Sequence, residues 1–185
     1  MISRTVSRRY AKSLMAVAVE RGASPEDVLG DLEKASTFLA EQPRILELFK
    51  NPKLPKSDRL GALERFLAVS RLQPLIQNFL RLLLRKQRID ILGGIVEEFR
   101  ALADAQAGII RAEVTSAAPL TDAVVELIRS RLAARFGKKI ILSLAVEPEL
   151  IGGLVVKAGS LTFDGSLRSQ LNAIQSQLLE GVSRP

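Results

Sequence analysis

Apolar side chains recur at α-helical spacing through the first half of the chain. The strongest stripe follows an i, i+3, i+4, i+7, i+8, i+11 pattern, which places one continuous apolar face along a helix. Its members are Leu72, Leu75, Ile76, Phe79, Leu80 and Leu83. Weaker stripes of the same period precede and follow it, and short polar segments separate them. The pattern predicts six helices joined by short loops, an arrangement typical of a helical bundle.

The predicted helices are bounded by residues that commonly start or stop helices. They cover residues 3–21, 24–43, 45–50, 57–69, 72–86 and 90–104. Gly22 follows the first helix at a position that favours glycine. We expect Ser24 to cap the second helix, because serine is a preferred N-cap residue and Pro25 suits the first helical position.

The periodicity changes from helical to alternating near residues 106–108. Apolar residues at Ile110, Ala112 and Val114 predict a strand, and a helix follows from Thr121 to Gly137. A second strand is predicted at 139–146. Two further strands, 154–158 and 161–163, flank Gly159-Ser160, which fits a two-residue hairpin turn with positive φ at glycine.

The last predicted element is a helix that begins after Asp164-Gly165-Ser166. Its apolar positions recur at helical spacing and are Leu167, Leu171, Ile174 and Leu178. The second half therefore reads β-α-β-β-β-α. We predict an α+β chain with a six-helix bundle at residues 1–106 and a small mixed domain at residues 107–185.

Composition excludes several kinds of active site. The chain has 185 residues, 47% of them hydrophobic, and it contains no cysteine and no histidine. It therefore lacks the ligands of a typical zinc site and the side chains of cysteine or Ser-His-Asp hydrolases. The acidic pair Glu97-Glu98 points in two directions on a helix, and no phosphate-binding glycine motif occurs. We expect no catalytic residue, metal or cofactor.

Charge and hydropathy limit the kinds of partner that the chain could bind. The net charge is +7, which favours attraction to anionic partners without choosing among them. No apolar run approaches the ~20 residues that a membrane-spanning helix needs. Arg4, Arg8 and Arg9 faintly resemble a transit peptide, but the apolar stripe that runs from Val6 to Val17 favours a structural first helix.

The stretch from Val146 to Ile174 carries strand, turn, strand and helix signals without a gap. It contains, in order, acidic residues, Ile-Gly-Gly, an apolar strand with a lysine, a glycine turn, a second apolar strand, Asp-Gly-Ser and an apolar helix. This ordered set resembles the C-terminal signature of the ATP synthase delta subunit family, whose mitochondrial counterpart is the oligomycin-sensitivity-conferring protein. Residues 8–14, 78–92 and 114–120 also resemble motifs of that family, in the same order.

The resemblance implies a noncatalytic peripheral-stalk subunit, of the bacterial type, in a rotary proton-translocating ATP synthase. Such a subunit links the N-termini of the alpha subunits in the catalytic head to the membrane-anchored b-type stalk. It would be present as one copy in a hetero-oligomeric complex. We would expect it on the cytoplasmic face of the bacterial inner membrane, attached peripherally through its partners and without nucleic acid.

The family also implies where the partners bind. An amphipathic helix of the alpha subunit would occupy a groove between the first and fifth helices. The residues expected there are Tyr10, Ala11, Leu14, Ile76 and Phe79. For the b-type stalk the candidates are Leu150, Ile151 and Leu154, together with the last helix. The residues alone leave open which of these side chains face a groove and which face the bundle core.

An alternative function is that of a basic adaptor bound to nucleic acid or to the ribosome. Its main support is the basic cluster Arg81, Arg85, Lys86 and Arg88. The same cluster also fits a solvated helix end or a phosphate-binding patch. Aromatic residues make up only 4% of the chain, so the stacking residues common in RNA recognition are scarce. Nucleic-acid binding would weaken steeply with salt, unlike apolar helix docking.

Overall fold

A computed structural model describes residues 2–51, 53–150, 152–159 and 161–165, with the backbone alone for residues 2 and 3. The chain divides into two compact units, residues 1–103 and 104–185. The α+β class is confirmed, because helices precede a four-stranded mixed sheet. The predicted last helix and Ile151 lie outside the described residues.

Six α-helices precede the first strand. They are α1 (Ile2–Glu20), α2 (Pro25–Glu41), α3 (Pro43–Lys50), α4 (Lys56–Ser70), α5 (Pro74–Arg85) and α6 (Leu92–Gln106). α5 begins two residues later than predicted, because Pro74 takes the first helical position and Gln73 before it is extended. α6 also begins late, since Ile89–Ile91 form a 3-10 turn.

Ser24 occupies the predicted N-cap position of α2, but its hydroxyl makes no capping hydrogen bond. The carbonyl of Ser24 accepts the first intrahelical hydrogen bond of α2, from the N–H of Val28 at 3.1 Å, as the carbonyl of an N-cap residue normally does. Ser24 is therefore the N-cap residue, as predicted, although its side chain does not take part in capping.

The six helices share one hydrophobic core. Its largest fully buried side chains include Phe49, Phe99, Leu32, Leu63, Ile76, Leu80, Leu83, Ile95 and Val28. Buried Asp31 connects α2 to α5, since its Oδ2 accepts a hydrogen bond from the N–H of Gln73 at 2.8 Å. This bond satisfies a backbone donor at the N-terminus of α5, where no intrahelical acceptor is available.

α1 and α6 meet through two small residues. Ser7 of α1 is only 1% exposed, and its hydroxyl has no hydrogen-bond partner among the described residues. A Cβ atom at Gly94 of α6 would lie 2.9 Å from the Ser7 Oγ, closer than such atoms normally approach. Glycine at position 94 therefore allows the two helices to pack closely.

The second unit holds the sheet and one crossover helix. Its elements are β1 (Ile109–Ser116), α7 (Asp122–Phe136), β2 (Lys139–Val146), β3 (Leu154–Ala158) and β4 (Leu161–Asp164). The strand order is β2-β1-β3-β4, with β1 and β2 parallel and the other neighbours antiparallel. Gly159 has a φ of 61°, as the predicted two-residue turn requires.

One face of the sheet forms a second core. Ala112 and Val114 on β1 and Val156 on β3 are buried there, and Leu132 of α7 belongs to the same cluster. The guanidinium of Arg135 lies 5.1 Å from the centre of the Phe163 ring, which extends the contact between α7 and β4.

Candidate functional site

An apolar groove of about 560 Å³ lies between α1 and α5. Its lining residues are Val6, Arg9, Tyr10, Ser13, Leu14, Val17, Leu75, Asn78, Phe79, Leu82 and Arg88. The α1 members recur every three or four residues over three turns, and so do the α5 members over two turns. One face of each helix therefore forms a wall, and the groove is long enough to accept several turns of a partner helix.

Tyr10 and Phe79 connect the two walls. Their ring centres are 6.3 Å apart and the ring planes meet at 69°, the edge-to-face geometry that aromatic rings favour. Phe79 is 7% exposed and Leu14 is 4% exposed, so both belong to the floor. Leu82 is 42% exposed and forms the most accessible apolar part of the α5 wall.

The rim of the groove is cationic. Arg9 and Arg88 are exposed and line it, and Asn78 adds a polar group on α5. Among the described residues of the lining, none is acidic. A partner with an apolar stripe between acidic side chains would complement this surface in both shape and charge.

Three of the five residues predicted for the groove line it, and two do not. Tyr10, Leu14 and Phe79 are lining residues, whereas Ala11 and Ile76 have no exposed surface and belong to the core. The assignment of Ala11 and Ile76 as contact residues therefore needs correction. Each of the two lies directly behind the groove wall, next in sequence or one turn away from a lining residue.

Sequence reasoning missed several lining residues. These are Val6, Val17, Leu75 and Leu82 among the apolar ones, with Arg9 and Arg88 on the rim. The signal was present, because Val6, Tyr10, Leu14 and Val17 follow i, i+4, i+8, i+11. Periodicity marks one broad apolar face, however, and does not separate its exposed margin from its buried centre.

The structure describes two of the three residues predicted for the second partner, and neither is fully accessible. Leu150 and Leu154 are half-buried, and Leu154 packs against the second core. The large apolar side chains most exposed near one end of the sheet are Val124, Leu127, Leu144 and Val146. α7 connects parallel strands and so runs back along them, which brings its N-terminal half to the end of the sheet where β2 finishes.

The basic cluster of the sequence contains cations that interact with different neighbours. Arg81 donates two hydrogen bonds to the carboxylate of Glu64, at 2.7 and 2.8 Å. That pairing lowers the pKa of Glu64 and raises the pKa of Arg81. Arg88 lies on the groove rim, and Arg85 lines a separate cavity beside α4. Three of the four cations therefore have different surroundings, which weakens the argument for a nucleic-acid surface.

Within the described part of the chain, no three acidic side chains converge in a way that could hold a metal ion. No helix there combines the length and apolar content that crossing a membrane requires.

Comparisons with known proteins agree along nearly the whole chain. The profile of the family described as "ATP synthase delta (OSCP) subunit" matches residues 6–178. "ATP synthase subunit delta 1" of Syntrophotalea carbinolica is 38% identical over 178 residues, which cover 96% of this chain and 99% of that protein. "ATP synthase subunit delta" of Geobacter metallireducens is 40% identical over 182 residues, covering 98% and 100%.

A solved structure shares the fold. A chain in the cryo-EM structure of the Toxoplasma gondii mitochondrial ATP synthase hexamer matches with a TM-score of 0.69 and 23% sequence identity. The match covers 94% of this chain and 97% of that chain.

Proposed function

The chain belongs to the ATP synthase delta (OSCP) subunit family, and on that premise we propose that it is a noncatalytic stator subunit of a rotary ATP synthase. In this role it links the catalytic head to the b-type stalk that is anchored in the membrane. The observation that carries the proposal is the apolar groove between α1 and α5, which has the form of a docking site for a helix.

A stator needs extensive contacts rather than a reactive centre. The rotor exerts torque on the head, and a static connection must resist it without slipping. Interfaces of the usual specific size bury about 800 Å² on each partner. A helix laid along the groove would contact aromatic and aliphatic side chains on both walls, and these supply most of the energy in such complexes.

The occupant of the groove is proposed to be the amphipathic N-terminal helix of an alpha subunit. Tyr10, Leu14 and Phe79 would form the floor beneath its apolar stripe, and Leu82 would cover one side. Arg9 and Arg88 would attract acidic residues beside that stripe. Ala11 and Ile76 would act indirectly, by holding the walls in place from within the core.

The b-type stalk is proposed to contact the second unit. Val124 and Leu127 on α7 and Leu144 and Val146 on β2 are exposed by 37 to 53%. Leu144 and Val146 continue the sheet face that is buried further along β2 at Ile140. An apolar face that emerges from the core at one end of a sheet suits contact with a stalk helix.

The two parts of the chain are proposed to hold different partners. The first 106 residues would form the six-helix bundle that holds the head, and residues 107–185 the β-α-β-β-β-α domain that holds the stalk. The subunit would lie on the cytoplasmic face of the bacterial inner membrane, as one copy, held there by its partners.

Leu82→Arg tests the groove directly. Because Leu82 is 42% exposed, the change should leave the fold intact while placing a charge in the apolar wall. We expect affinity for a synthetic peptide of the alpha subunit N-terminus to fall by at least ~10-fold, the effect of losing ~1.4 kcal/mol. Val69→Arg is the matched control, since Val69 is 78% exposed on α4 and does not line the groove. It should bind like wild type.

Two results would reject the groove as the docking site. One is wild-type affinity in Leu82→Arg, and the other is an equal loss in Val69→Arg. Ala11→Arg is unsuitable for this test, because Ala11 is fully buried and an arginine there would disrupt the core.

Leu127→Glu tests the second contact independently. Leu127 is 53% exposed on α7, so a carboxylate there should be tolerated by the fold. We expect weaker capture by the soluble part of a b-type stalk and unchanged binding of the alpha peptide. Unchanged capture by the stalk would exclude this surface without affecting the groove.

A further inference from the structure

A second cavity, of about 260 Å³, lies where α4 begins and α5 ends. Its wall consists of Lys56, Arg59, Leu60, Leu84, Arg85 and Gln87. Three of these six residues are cationic and none is acidic. The cavity is distinct from the groove between α1 and α5, since the two share no lining residue in the described part of the chain.

Arg59 distinguishes this cavity from an ordinary basic surface. It is only 4% exposed, and its Nε has no hydrogen-bond partner among the described residues. Arginine is rarely buried without a paired acid, because the guanidinium stays charged and loses its hydration. Even arginines of the same unit that are only half-buried have an acidic partner, as Arg81 bonds Glu64 and Arg100 bonds Glu33.

The side chains that surround Arg59 add positive charge rather than neutralise it. Lys56 is the first residue of α4, so the positive end of that helix dipole lies at the same wall. Arg85 closes the other side at the C-terminus of α5, where its cation opposes the negative end of the α5 dipole. Glu64 lies close enough to Arg85 for the arginine to help lower its pKa, but its carboxylate is already held by Arg81.

We propose that this cavity binds a small oxyanion of the size of phosphate. The Nε of Arg59 is closed to solvent, so the terminal nitrogens of its guanidinium would meet the phosphate oxygens, and burial strengthens such charge-assisted hydrogen bonds. The volume lies below the ~300–1,000 Å³ of pockets that hold drug-sized ligands. It suits one oxyanion with a few waters. The anion could be free phosphate or the terminal phosphate of a nucleotide, and the proposal does not depend on the stator function.

The direct test follows the Nε–H signal of Arg59 by NMR in the full chain. Inorganic phosphate is added at constant ionic strength against a chloride reference, and Arg59→Lys identifies the signal. We expect the Arg59 signal to move saturably, giving a Kd. Should Arg59→Lys fail to fold, the phosphate dependence of melting gives a second readout, because a ligand that binds the folded state raises the melting temperature.

Charge-matched variants separate specific binding from a general salt effect. Lys56→Gln/Arg85→Gln removes two exposed cations of the wall and should raise the Kd for phosphate by at least ~10-fold, as expected when charge-assisted contacts are lost. Lys53→Gln/Lys86→Gln also removes two exposed cations, neither of which lines the cavity, and should change the Kd less than ~2-fold. Phosphate also stabilises proteins generally, but it would do so equally in all three proteins.

The outcomes are distinguishable. Saturable binding of phosphate that exceeds that of ADP assigns the site to the free ion, and tighter binding of ADP assigns it to a nucleotide phosphate. A linear response shared by wild type and both variants would overturn the proposal. An unchanged Kd in Lys56→Gln/Arg85→Gln would also overturn it. A response to chloride as large as the response to phosphate would overturn it too, because water and bulk ions would then fill the cavity.

Discussion

Gly94→Ala should destabilise the first unit because of its contact with Ser7. An alanine Cβ at this position would lie 2.9 Å from the Ser7 Oγ and 3.5 Å from the Ser7 Cβ. Since Ser7 is 1% exposed, its hydroxyl has little room to move away. Adding a methyl group to a close-packed contact costs ~1–3 kcal/mol.

Gly93→Ala supplies the matched control. Gly93 lies in the same first turn of α6, but a Cβ there would meet only the Ser36 Oγ at 4.0 Å, an ordinary contact. Replacing glycine by alanine within a helix is favourable by up to ~1 kcal/mol. Both variants gain this backbone term, so the difference between them isolates the steric one. We expect Gly94→Ala to be less stable than Gly93→Ala by ~1–3 kcal/mol.

Ser7→Ala completes a double-mutant cycle. Removing the hydroxyl leaves only the 3.5 Å contact, so Ser7→Ala/Gly94→Ala should recover most of the lost stability. The coupling free energy between positions 7 and 94 should be at least ~1 kcal/mol. Urea unfolding followed by tyrosine fluorescence measures it cleanly, because Tyr10 is the only tyrosine, tryptophan is absent, and the signal reports the first unit alone. Equal stability of Gly94→Ala and Gly93→Ala, or no recovery in the double variant, would refute the reasoning.

Three further predictions use other contacts. Asp31→Ala should lower the free energy of unfolding by ~1–3 kcal/mol, because the N–H of Gln73 loses its acceptor. Asp31→Asn keeps an acceptor oxygen and should lower the free energy of unfolding less. Equal losses of the two variants in urea unfolding would contradict this. The hydrogen bond from Arg81 lowers the pKa of Glu64 from 4.5, so its stabilising effect is complete above that value and disappears as the pH falls through the lowered pKa. The melting-temperature difference between wild type and Glu64→Gln should therefore shrink on acidification, whereas a constant difference would exclude the pairing. Gln87 has a left-handed φ of 55°, which glycine adopts more easily than other residues. Gln87→Gly should therefore be more stable than Gln87→Ala by ~1 kcal/mol in urea unfolding. Identical free energies of unfolding would argue against backbone strain at this position.

The periodic elements could be predicted well because burial of one face determines them. The boundaries of β2 and β3 agree with the predicted ones, and the six helices follow from the 3.6-residue period. The errors lie where local backbone geometry, rather than hydrophobic periodicity, determines the structure. The 3-10 turn Ile89–Ile91 continues the apolar pattern into α6, so hydrophobicity alone could not separate it from the helix.

The candidate site was predictable as a pair of helices but not as a set of contacts. Tyr10 and Ala11 are neighbours in sequence, yet the first lines the groove and the second is fully buried. That distinction depends on the depth at which α5 packs against α1, which is a tertiary property. Arg59 shows that residue type can also mislead in the other direction, from exposed to buried. Residue type predicts an exposed arginine, whereas the fold buries it on the same face of α4 as Leu63 and Leu67.

The separation of the two groove walls in the sequence also determines when the groove forms during synthesis of the protein. One wall comes from residues 6–17 and the other from residues 75–88, with three other helices synthesised between them. During translation, α1 emerges first and has no opposite wall until α5 has left the ribosome. A nascent chain therefore cannot recruit its groove partner early, and the partner meets the first unit only after its fifth helix is in place.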